Sequence, residues 1–316
     1  MTEKITLGIS TCLLGESVRY DGGHKLDRFL RDILGKYVRY VPVCPEVECG
    51  LPIPREAMHL VGDIENPRLV TVRTDEDMTE RMQRWGKSKL KALEEEDMCG
   101  YIFKSKSPSS GMERIKVYTG KGVSVKRGTG LWARMFIDHF PLLPVEDEGR
   151  LNDIGIRENF IERIFVYRRW KETISKGRKP GNLVAFHTTH KLLIMSHSVE
   201  LYRALGKLVA SGKCCPVEEL YDRYIADLSN ALKLKTTIKK NVNVLHHIMG
   251  YFKKQLSGDE KKELLEIINK YSGGYIPLIV PVTLFNHYVR KYDQSYLKHQ
   301  YYLHPHPLEL KLRNHA

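Results

Sequence analysis

The run VCPEVECG at residues 43–50 constrains this chain more than any other stretch. It follows residues 36–43, where alternating β-branched and aromatic side chains are typical of a strand. The run therefore begins where a strand ends, which is where open α/β sheets bind ligands. Two thiols and two carboxylates on one loop combine soft metal ligands with groups that transfer protons. The run indicates a catalytic or metal-binding site. The alternative is the N-terminus of a helix in which the cysteines have no function.

Strands and helices alternate through the first half of the chain. Besides residues 36–43, strands are predicted at 4–10, 69–73, 101–104 and 142–145, and helices at 27–34, 78–96 and 132–140. This alternation predicts an α/β fold with a doubly wound parallel sheet. Residues 120–130 are rich in Gly and Lys and are predicted to form a mobile loop.

The pattern changes near residue 150, where an acidic stretch at 146–153 marks a junction. Beyond it, apolar residues recur with helical spacing. The predicted helices are 157–170, 183–195, 199–210, 217–234, 241–255 and 259–271, and 282–291 resumes a helix after Pro277 and Pro281. We therefore expect two domains, a chemical domain at 1–150 and an all-α domain at 151–316.

The charge of +13 is carried almost entirely by the second domain. Residues 1–150 hold 24 Lys and Arg against 23 Asp and Glu, whereas residues 151–316 hold 27 against 15, a balance of +12. Surfaces this basic commonly bind nucleic acid, although a generally basic protein is the alternative. The candidate phosphate contacts are Lys239, Lys240, Lys253, Lys254, Arg290 and Arg313.

Several classes of protein are disfavoured. No apolar run approaches the 18 residues of a membrane span, and the N-terminus enters a strand without a signal peptide, so we expect a cytoplasmic protein. There is no GxGxxG motif and no P-loop to suggest a nicotinamide or a flavin. Six cysteines in such a chain favour metal or redox chemistry over disulfides. Cys214 and Cys215 are adjacent, precede a proline, and are predicted to be structural.

The cysteines of the first domain suggest a metal centre. Cys12 and Cys44 both follow predicted strands, so both lie at one end of the sheet. Three thiolates would hold three irons of a cubane cluster and leave the fourth iron open. Cys49 is the favoured third ligand, because Cys99 enters its strand from the opposite end, over ~10 Å away. Zinc, with His24 as a further ligand, is an alternative.

Three motifs resemble the 2-thiouracil desulfurase family over about residues 4–145. They are CLLGESVRYDGGHK, CPEVECGLPIPRE and YIFKSKSPSSGMERIKVY. Residues 155–316, which include RENFIERIFVYRRW and LVAFHTTHKLLIMSHS, resemble the YbgA-type domain. The whole chain resembles the two-domain fusions that act as tRNA 4-thiouridine desulfidases.

This resemblance implies a Rossmann-like first domain, a 4Fe–4S cluster on three cysteines, and an open iron that takes the substrate's sulfur. It implies Glu46 as the proton-transferring carboxylate and Ser109 as the residue that orients it or the water. Glu48 is expected to be less important. Weaker candidates for substrate positioning are Arg19, Asp21 and Lys104.

One departure from the family concerns the cluster. Stand-alone desulfurases commonly read SPSCG, with that cysteine as third ligand, whereas this chain has Ser110. Those relatives also tend to lack a cysteine at the place of Cys49. The two changes suggest that the third thiolate has moved to Cys49, with Cys99 as the alternative.

The expected activity is a non-redox, iron–sulfur-dependent removal of sulfur from 4-thiouridine in tRNA. One alternative is a desulfidase of free thiolated bases such as 2-thiouracil. The other is a non-catalytic RNA-binding or cluster-sensing protein. His187 and His190, three residues apart on a predicted helix, are expected to pack or to face RNA rather than to bind metal.

Overall fold

The computed structural model describes residues 4–119, 123–212 and 215–314. Cys214, predicted to be structural, lies outside those ranges, as do residues 120–122 of the predicted loop. The chain divides into two compact units, Met1–Asp153 and Ile154–Ala316.

The first unit combines strands with three helices in its described part. The strands are β1 (Ile5–Ser10), β2 (Val38–Val43), β3 (Met58–Gly62), β4 (Pro67–Thr71), β5 (Tyr101–Phe103), β6 (Ile115–Thr119), β7 (Val123–Gly128) and β8 (Val145–Asp147). The helices are α1 (Pro45–Glu48), α2 (Thr79–Glu94) and α3 (Leu131–His139).

Four of these strands form a parallel sheet in the order β2-β1-β5-β8. Apolar side chains make β1 and β5 wholly buried strands, as expected for the centre of a parallel sheet. Gly8 of β1 is required there, because a Cβ atom would lie 2.1 Å from the Tyr101 ring. The predicted α/β class with a parallel sheet is confirmed.

A second sheet, in the order β4-β3-β6-β7, was not predicted. The predicted strand at 69–73 exists as β4, but it pairs antiparallel with β3 and does not join the parallel sheet. Part of the predicted loop at 120–130 is a strand, β7, paired antiparallel with β6. Most of the β7 side chains are exposed, so the segment has no apolar alternation that would reveal a strand.

The predicted helix at 27–34 is irregular. Phe29–Ile33 forms a π-helical turn and Leu34–Lys36 a 3₁₀ turn. Asp27 accepts a hydrogen bond from the Leu30 amide at 3.0 Å, so its side chain caps the first turn.

The described part of the second unit is largely helical, which confirms the predicted all-α region. The helices are α4 (Ile154–Ser175), α5 (Pro180–His197), α6 (Val199–Ala210), α7 (Val217–Lys233), α8 (Ile238–Tyr251), α9 (Gly258–Ser272), α10 (Ile279–Lys291) and α11 (Ser295–Lys298). Side chains of Ser198, Thr237 and Ser257 cap three of them, as polar residues before apolar runs do. No described helix is both long and apolar enough to cross a bilayer.

A buried ionic cluster, Glu162, His197 and Arg313, joins elements of this unit. His197 contacts the Glu162 carboxylate through Nε2 and the Leu234 carbonyl oxygen through Nδ1. Arg313 donates to Glu162 at 3.3 Å and to Glu158 at 2.9 Å. Since Arg313 is only 6% exposed, it serves the interior and is withdrawn from the phosphate contact predicted for it.

Candidate active site

A cavity of about 440 Å³ lies at the carboxyl ends of β1, β2 and β5. Parallel strands bring the residues that follow them to one edge of the sheet, so Cys12 and Cys44 both line this cavity, as predicted. Cys12 lies in a 3₁₀ turn directly after β1, and Cys44 directly precedes α1. The polar side chains that line the cavity with them include Arg19, Lys25, Glu46, Arg55, Lys104, Ser107 and Ser110.

The Glu46 carboxylate is held between three side chains. Oε1 accepts a hydrogen bond from the Ser109 hydroxyl at 2.5 Å. Oε2 lies 3.6 Å from the Cys44 sulfur and 3.7 Å from Nη2 of Arg55. The predicted acid–base residue, the predicted orienting serine and a predicted metal ligand therefore lie side by side.

The two carboxylates of the CPEVEC run point to different environments. Residues 45–48 form the helical turn α1 rather than an extended loop, and positions two apart on a helix project about 200° apart. Glu48 accepts from the Cys44 amide at 2.9 Å and pairs with Lys89 at 2.9 Å. It does not line the cavity, so its role is to fix the start of α1.

A loop of three serines supports Glu46 from the other side. Ser107 and Ser109 share a hydrogen bond at 2.9 Å, and the Ser107 hydroxyl accepts from the Ser110 amide at 3.1 Å. The first turn of α3 packs directly on this loop. A Cβ atom added at Gly130 would lie only 2.4 Å from the Ser109 carbonyl oxygen. Only glycine permits that approach, which fixes Ser109 against the sheet edge.

Burial raises the pKa of both thiols that line the cavity. It raises the pKa of Cys12 to about 11, and the nearby Glu46 carboxylate also raises it. Burial followed by the Glu46 charge raises the pKa of Cys44 to about 12. Both groups are therefore protonated at neutral pH without a metal, and a bound metal would displace their protons.

The other two described cysteines of this unit lie apart from the cavity lining. Cys49 packs against the apolar cluster of the second sheet, which includes Leu60 and Ile115, and its thiol donates to the Glu46 carbonyl oxygen at 3.2 Å. Cys99 is fully buried and its amide bonds to Thr6, at the amino end of the sheet, as the sequence predicted. The cavity instead includes Ser110. The assignment of Cys49 as third ligand stays a prediction.

The weaker substrate-positioning candidates are placed differently. Arg19 lines the cavity and pairs with Asp21 at 3.3 Å, whereas Asp21 itself is exposed and outside the lining. Lys104 lines the cavity, but its ammonium is bound to Glu148 and to the Ser105 carbonyl oxygen. Arg19 is the candidate with the greater freedom to contact a ligand.

The zinc alternative receives no geometric support from the described residues. His24 accepts from the Leu26 amide at 3.3 Å and is not part of the cavity lining. No three described His, Cys, Asp or Glu side chains are grouped so that they would hold a metal ion.

Sequence reasoning missed Arg55. Its side chain is 6% exposed, reaches Glu46, and donates to the Val18 carbonyl oxygen at 3.0 Å, while its buried Nε has no partner among the described residues. The signal was available in the CPEVECGLPIPRE motif, because an arginine after two prolines is presented on a stiff segment.

Among the predicted RNA contacts, Lys239, Lys253, Lys254 and Arg290 are exposed. Lys240 is partly buried and donates to the Lys235 carbonyl oxygen at 2.8 Å. The histidine pair is buried, so packing rather than an exposed RNA face describes it. His187 contacts the Tyr224 hydroxyl at 3.0 Å, and His190 contacts the Phe186 carbonyl oxygen at 2.7 Å.

The fold and this site define a class: α/β proteins with thiols, a carboxylate and a serine loop at the carboxyl edge of a parallel sheet. The 2-thiouracil desulfurase family matches residues 7–148. The uncharacterized protein YbbK of Bacillus subtilis is 30% identical to this chain over 152 residues. The match covers 46% of this chain and 97% of YbbK. The chain therefore belongs to the 2-thiouracil desulfurase family through its first unit.

The second unit has relatives of its own. Residues 191–307 match a family described as a protein of unknown function, DUF1722. The uncharacterized protein YbgA of Escherichia coli is 29% identical to this chain over 153 residues. The match covers 48% of this chain and 90% of YbgA. The chain thus fuses a desulfurase-like unit to a YbgA-like unit.

One solved structure is similar in sequence. It is described as the [4Fe-4S]-dependent thiouracil desulfidase TudS, with 32% identity, 49% of this chain and 97% of that chain covered, and a TM-score of 0.39.

Proposed function

We propose that this protein removes sulfur from a thiolated uracil by hydrolysis. Water supplies the oxygen that replaces sulfur on the ring carbon, and sulfur leaves as hydrosulfide. No electrons are gained or lost, so the reaction needs no redox partner. The observation that carries the proposal is the Glu46 carboxylate, which lies 3.6 Å from the Cys44 sulfur and 2.5 Å from the Ser109 hydroxyl inside the cavity.

Cys12 and Cys44 would supply two ligands of an iron–sulfur cluster in this cavity, and the described residues group no third Cys, His, Asp or Glu ligand with them. Both are buried thiols on adjacent strand ends, and thiolate is the ligand such clusters require. Ser110 lines the same cavity and offers a hydroxyl for a third position, whereas Cys49 does not line it. When bound, a cluster with an iron that lacks a protein ligand would supply a soft Lewis acid for sulfur. TudS is described as [4Fe-4S]-dependent, which supports this assignment.

The chain's own residues would handle the proton. Glu46 is positioned to accept a proton from the attacking water and return it to the departing sulfur. The Ser109 hydroxyl fixes Oε1, which leaves Oε2 directed toward Cys44 and Arg55. The Arg55 guanidinium places a positive charge 3.7 Å from Oε2.

The substrate we favour is a free thiolated base such as 2-thiouracil. Membership of the 2-thiouracil desulfurase family and similarity to TudS, a thiouracil desulfidase, support a thiouracil substrate. The second candidate is 4-thiouridine in tRNA. The observation that favours it is the charge of +12 on residues 151–316, which suits an RNA backbone.

The experiment compares substrates on one anaerobically purified preparation of the full chain. Loss of thiocarbonyl absorbance would be followed with 2-thiouracil, the nucleoside 4-thiouridine and tRNA containing 4-thiouridine. Turnover of 2-thiouracil that disappears in the Glu46→Gln variant supports the proposal. Failure to turn over any of the three, with iron and sulfide present in the protein, would rule it out.

A charge-reversal variant separates the two substrates. Lys253 and Lys254 are exposed, so Lys253→Glu with Lys254→Glu should leave the fold intact. If tRNA is the substrate, the unaltered protein should lose tRNA turnover steeply as salt rises. The variant should turn over tRNA more slowly, with a shallower salt dependence, and keep 2-thiouracil turnover. If the free base is the substrate, unmodified tRNA should not compete with 2-thiouracil in the unaltered protein.

A further inference from the structure

The helical unit contains a polar cavity of about 200 Å³ that the proposed chemistry does not use. It lies between the end of α4, the first half of α5 and Tyr301. Its lining includes Arg169, Glu172, Lys176, Phe186, His190 and Tyr301. Two of these residues have a buried side-chain nitrogen with no hydrogen-bond partner in the described part of the chain.

Arg169 is the first of the two. Its guanidinium carbon lies 3.8 Å above the centre of the Tyr301 ring, and Nη2 donates to the Pro305 carbonyl oxygen at 2.5 Å. Nη1 is buried and unpaired. Burial lowers the pKa of Arg169 to about 10, so the side chain is still a cation at neutral pH. An unpaired donor on a buried cation is costly unless a ligand or water satisfies it.

His190 is the second, and it presents the opposite chemistry. Its Nδ1 lies 2.7 Å from the Phe186 carbonyl oxygen, which can only accept, so Nδ1 carries the proton. Burial lowers the pKa of His190 to about 3, so the ring is neutral and Nε2 is a bare acceptor. Nε2 is buried and unpaired. The ring is held in place by stacking on Phe186, with centroids 4.0 Å apart.

The remaining charged residues of the lining make the cavity positive. Lys176 is exposed and has no carboxylate partner among the described ion pairs. Glu172 is committed to Arg168, at 3.0 Å. The cavity therefore combines two cations with a neutral hydrogen-bond acceptor.

We propose that this cavity binds inorganic phosphate, which retains at least one proton at neutral pH. Anionic oxygens accept from Arg169 and Lys176, and the protonated oxygen donates to Nε2 of His190. A phosphodiester or a sulfate has no such proton at neutral pH and would set an oxygen lone pair against that of His190. The site is independent of the desulfidase reaction, so the failure of one proposal would not affect the other.

The test is calorimetric titration of the full-length protein with inorganic phosphate, uridine monophosphate and sulfate at equal ionic strength and neutral pH. We expect saturable phosphate binding and at least ~10-fold weaker sulfate binding, the scale of one hydrogen bond. Uridine monophosphate is mostly an unprotonated dianion at neutral pH, so it should also bind at least ~10-fold more weakly than inorganic phosphate. Equal or tighter binding of uridine monophosphate would contradict the role given to His190.

Matched variants locate the binding. Arg169→Gln should weaken phosphate binding by ~10-fold or more, because a hydrogen bond to a charged group is lost. Lys171→Gln is the control on the same helix, because Lys171 lies over the Tyr167 ring and does not line the cavity, and it should bind phosphate normally. His190→Phe should remove the preference for phosphate over sulfate.

Because Arg169 also packs on the Tyr301 ring, replacing it can disturb the fold. A substitution at the exposed residue Lys176 tests the site without that disturbance. Lys176→Ala should preserve the helical circular dichroism and weaken phosphate binding severalfold. The proposal is overturned if phosphate shows no saturable binding, if sulfate binds equally well, or if Lys171→Gln weakens binding as much as Arg169→Gln.

Discussion

The most direct test of the proposed site is the effect of Glu46→Gln on turnover. The glutamine keeps the shape of the side chain and an oxygen that can still accept from Ser109, 2.5 Å away in the native protein. What changes is the second carboxylate oxygen, which becomes an NH₂ group beside Cys44 and Arg55. The variant is thus isosteric and cannot exchange a proton.

The expected loss follows from that single difference. General acid–base help contributes ~10²–10⁴-fold, and each tenfold corresponds to about 1.4 kcal/mol of barrier. Glu46→Gln should therefore raise the barrier by about 3–5 kcal/mol. Because the carboxylate is only 13% exposed, water should not restore the proton transfer efficiently.

The assay is turnover of 2-thiouracil by anaerobically purified protein, with iron and sulfide measured on the same sample. Glu48→Gln is the matched control, because Glu48 lies in the same turn but binds the Cys44 amide and Lys89. That variant should lose about 0.5–1 kcal/mol of stability, the range for partly exposed pairs, and retain turnover within about twofold.

Two results would refute the reasoning. Near-normal turnover by Glu46→Gln would mean that no proton passes through this carboxylate. An equal loss in Glu48→Gln would mean that the charge of the turn, rather than the position of Glu46, controls the reaction.

Four further outcomes are expected. Cys12→Ser should abolish bound iron and sulfide while Cys99→Ser retains them, and the opposite pattern would displace the site from the carboxyl edge of the sheet. Ser110→Cys should raise the iron content per chain and Cys49→Ser should leave it unchanged; iron lost only from Cys49→Ser would make Cys49 the third ligand. His197→Ala should lower the free energy of unfolding in urea by about 3–5 kcal/mol, because the buried Glu162 loses a partner, and a loss below about 1 kcal/mol would deny that the pair matters. Acid should destabilise the helical unit, because burial lowers the pKa values of the buried residues His187, His190 and His306 to about 4, 3 and 4, below the 6.5 of the unfolded chain.

The sign of this pH effect follows from proton uptake. Between the folded and unfolded pKa values the unfolded chain binds more protons, so stability is full above pH 6.5 and falls as the pH drops toward 4. At pH 5 the loss is about 2 kcal/mol for each histidine. Urea unfolding followed by circular dichroism at pH 7.5 and pH 5 measures it, and equal midpoints would show that the histidines titrate normally.

Local signals in the sequence were sufficient for the elements that bury one continuous stripe or stretch of apolar residues. The helices of the second unit follow the 3.6-residue period, and β1, β2 and β5 are short apolar or alternating runs. Because a parallel sheet collects its carboxyl ends at one edge, the proximity of Cys12 and Cys44 also followed from the sequence.

The tertiary structure alone decided the rest, because it depends on partners distant in the chain. The second sheet forms only when β3 pairs with β6, which is distant in sequence, and its strand β7 is largely exposed and carries no clear apolar alternation. The same packing turns Cys49 onto that sheet's apolar cluster and leaves Ser110 at the cavity. Likewise, the unpaired nitrogens of Arg169 and His190 are visible only once α4, α5 and Tyr301 are brought together, since a local sequence pattern cannot show which buried polar atom lacks a partner.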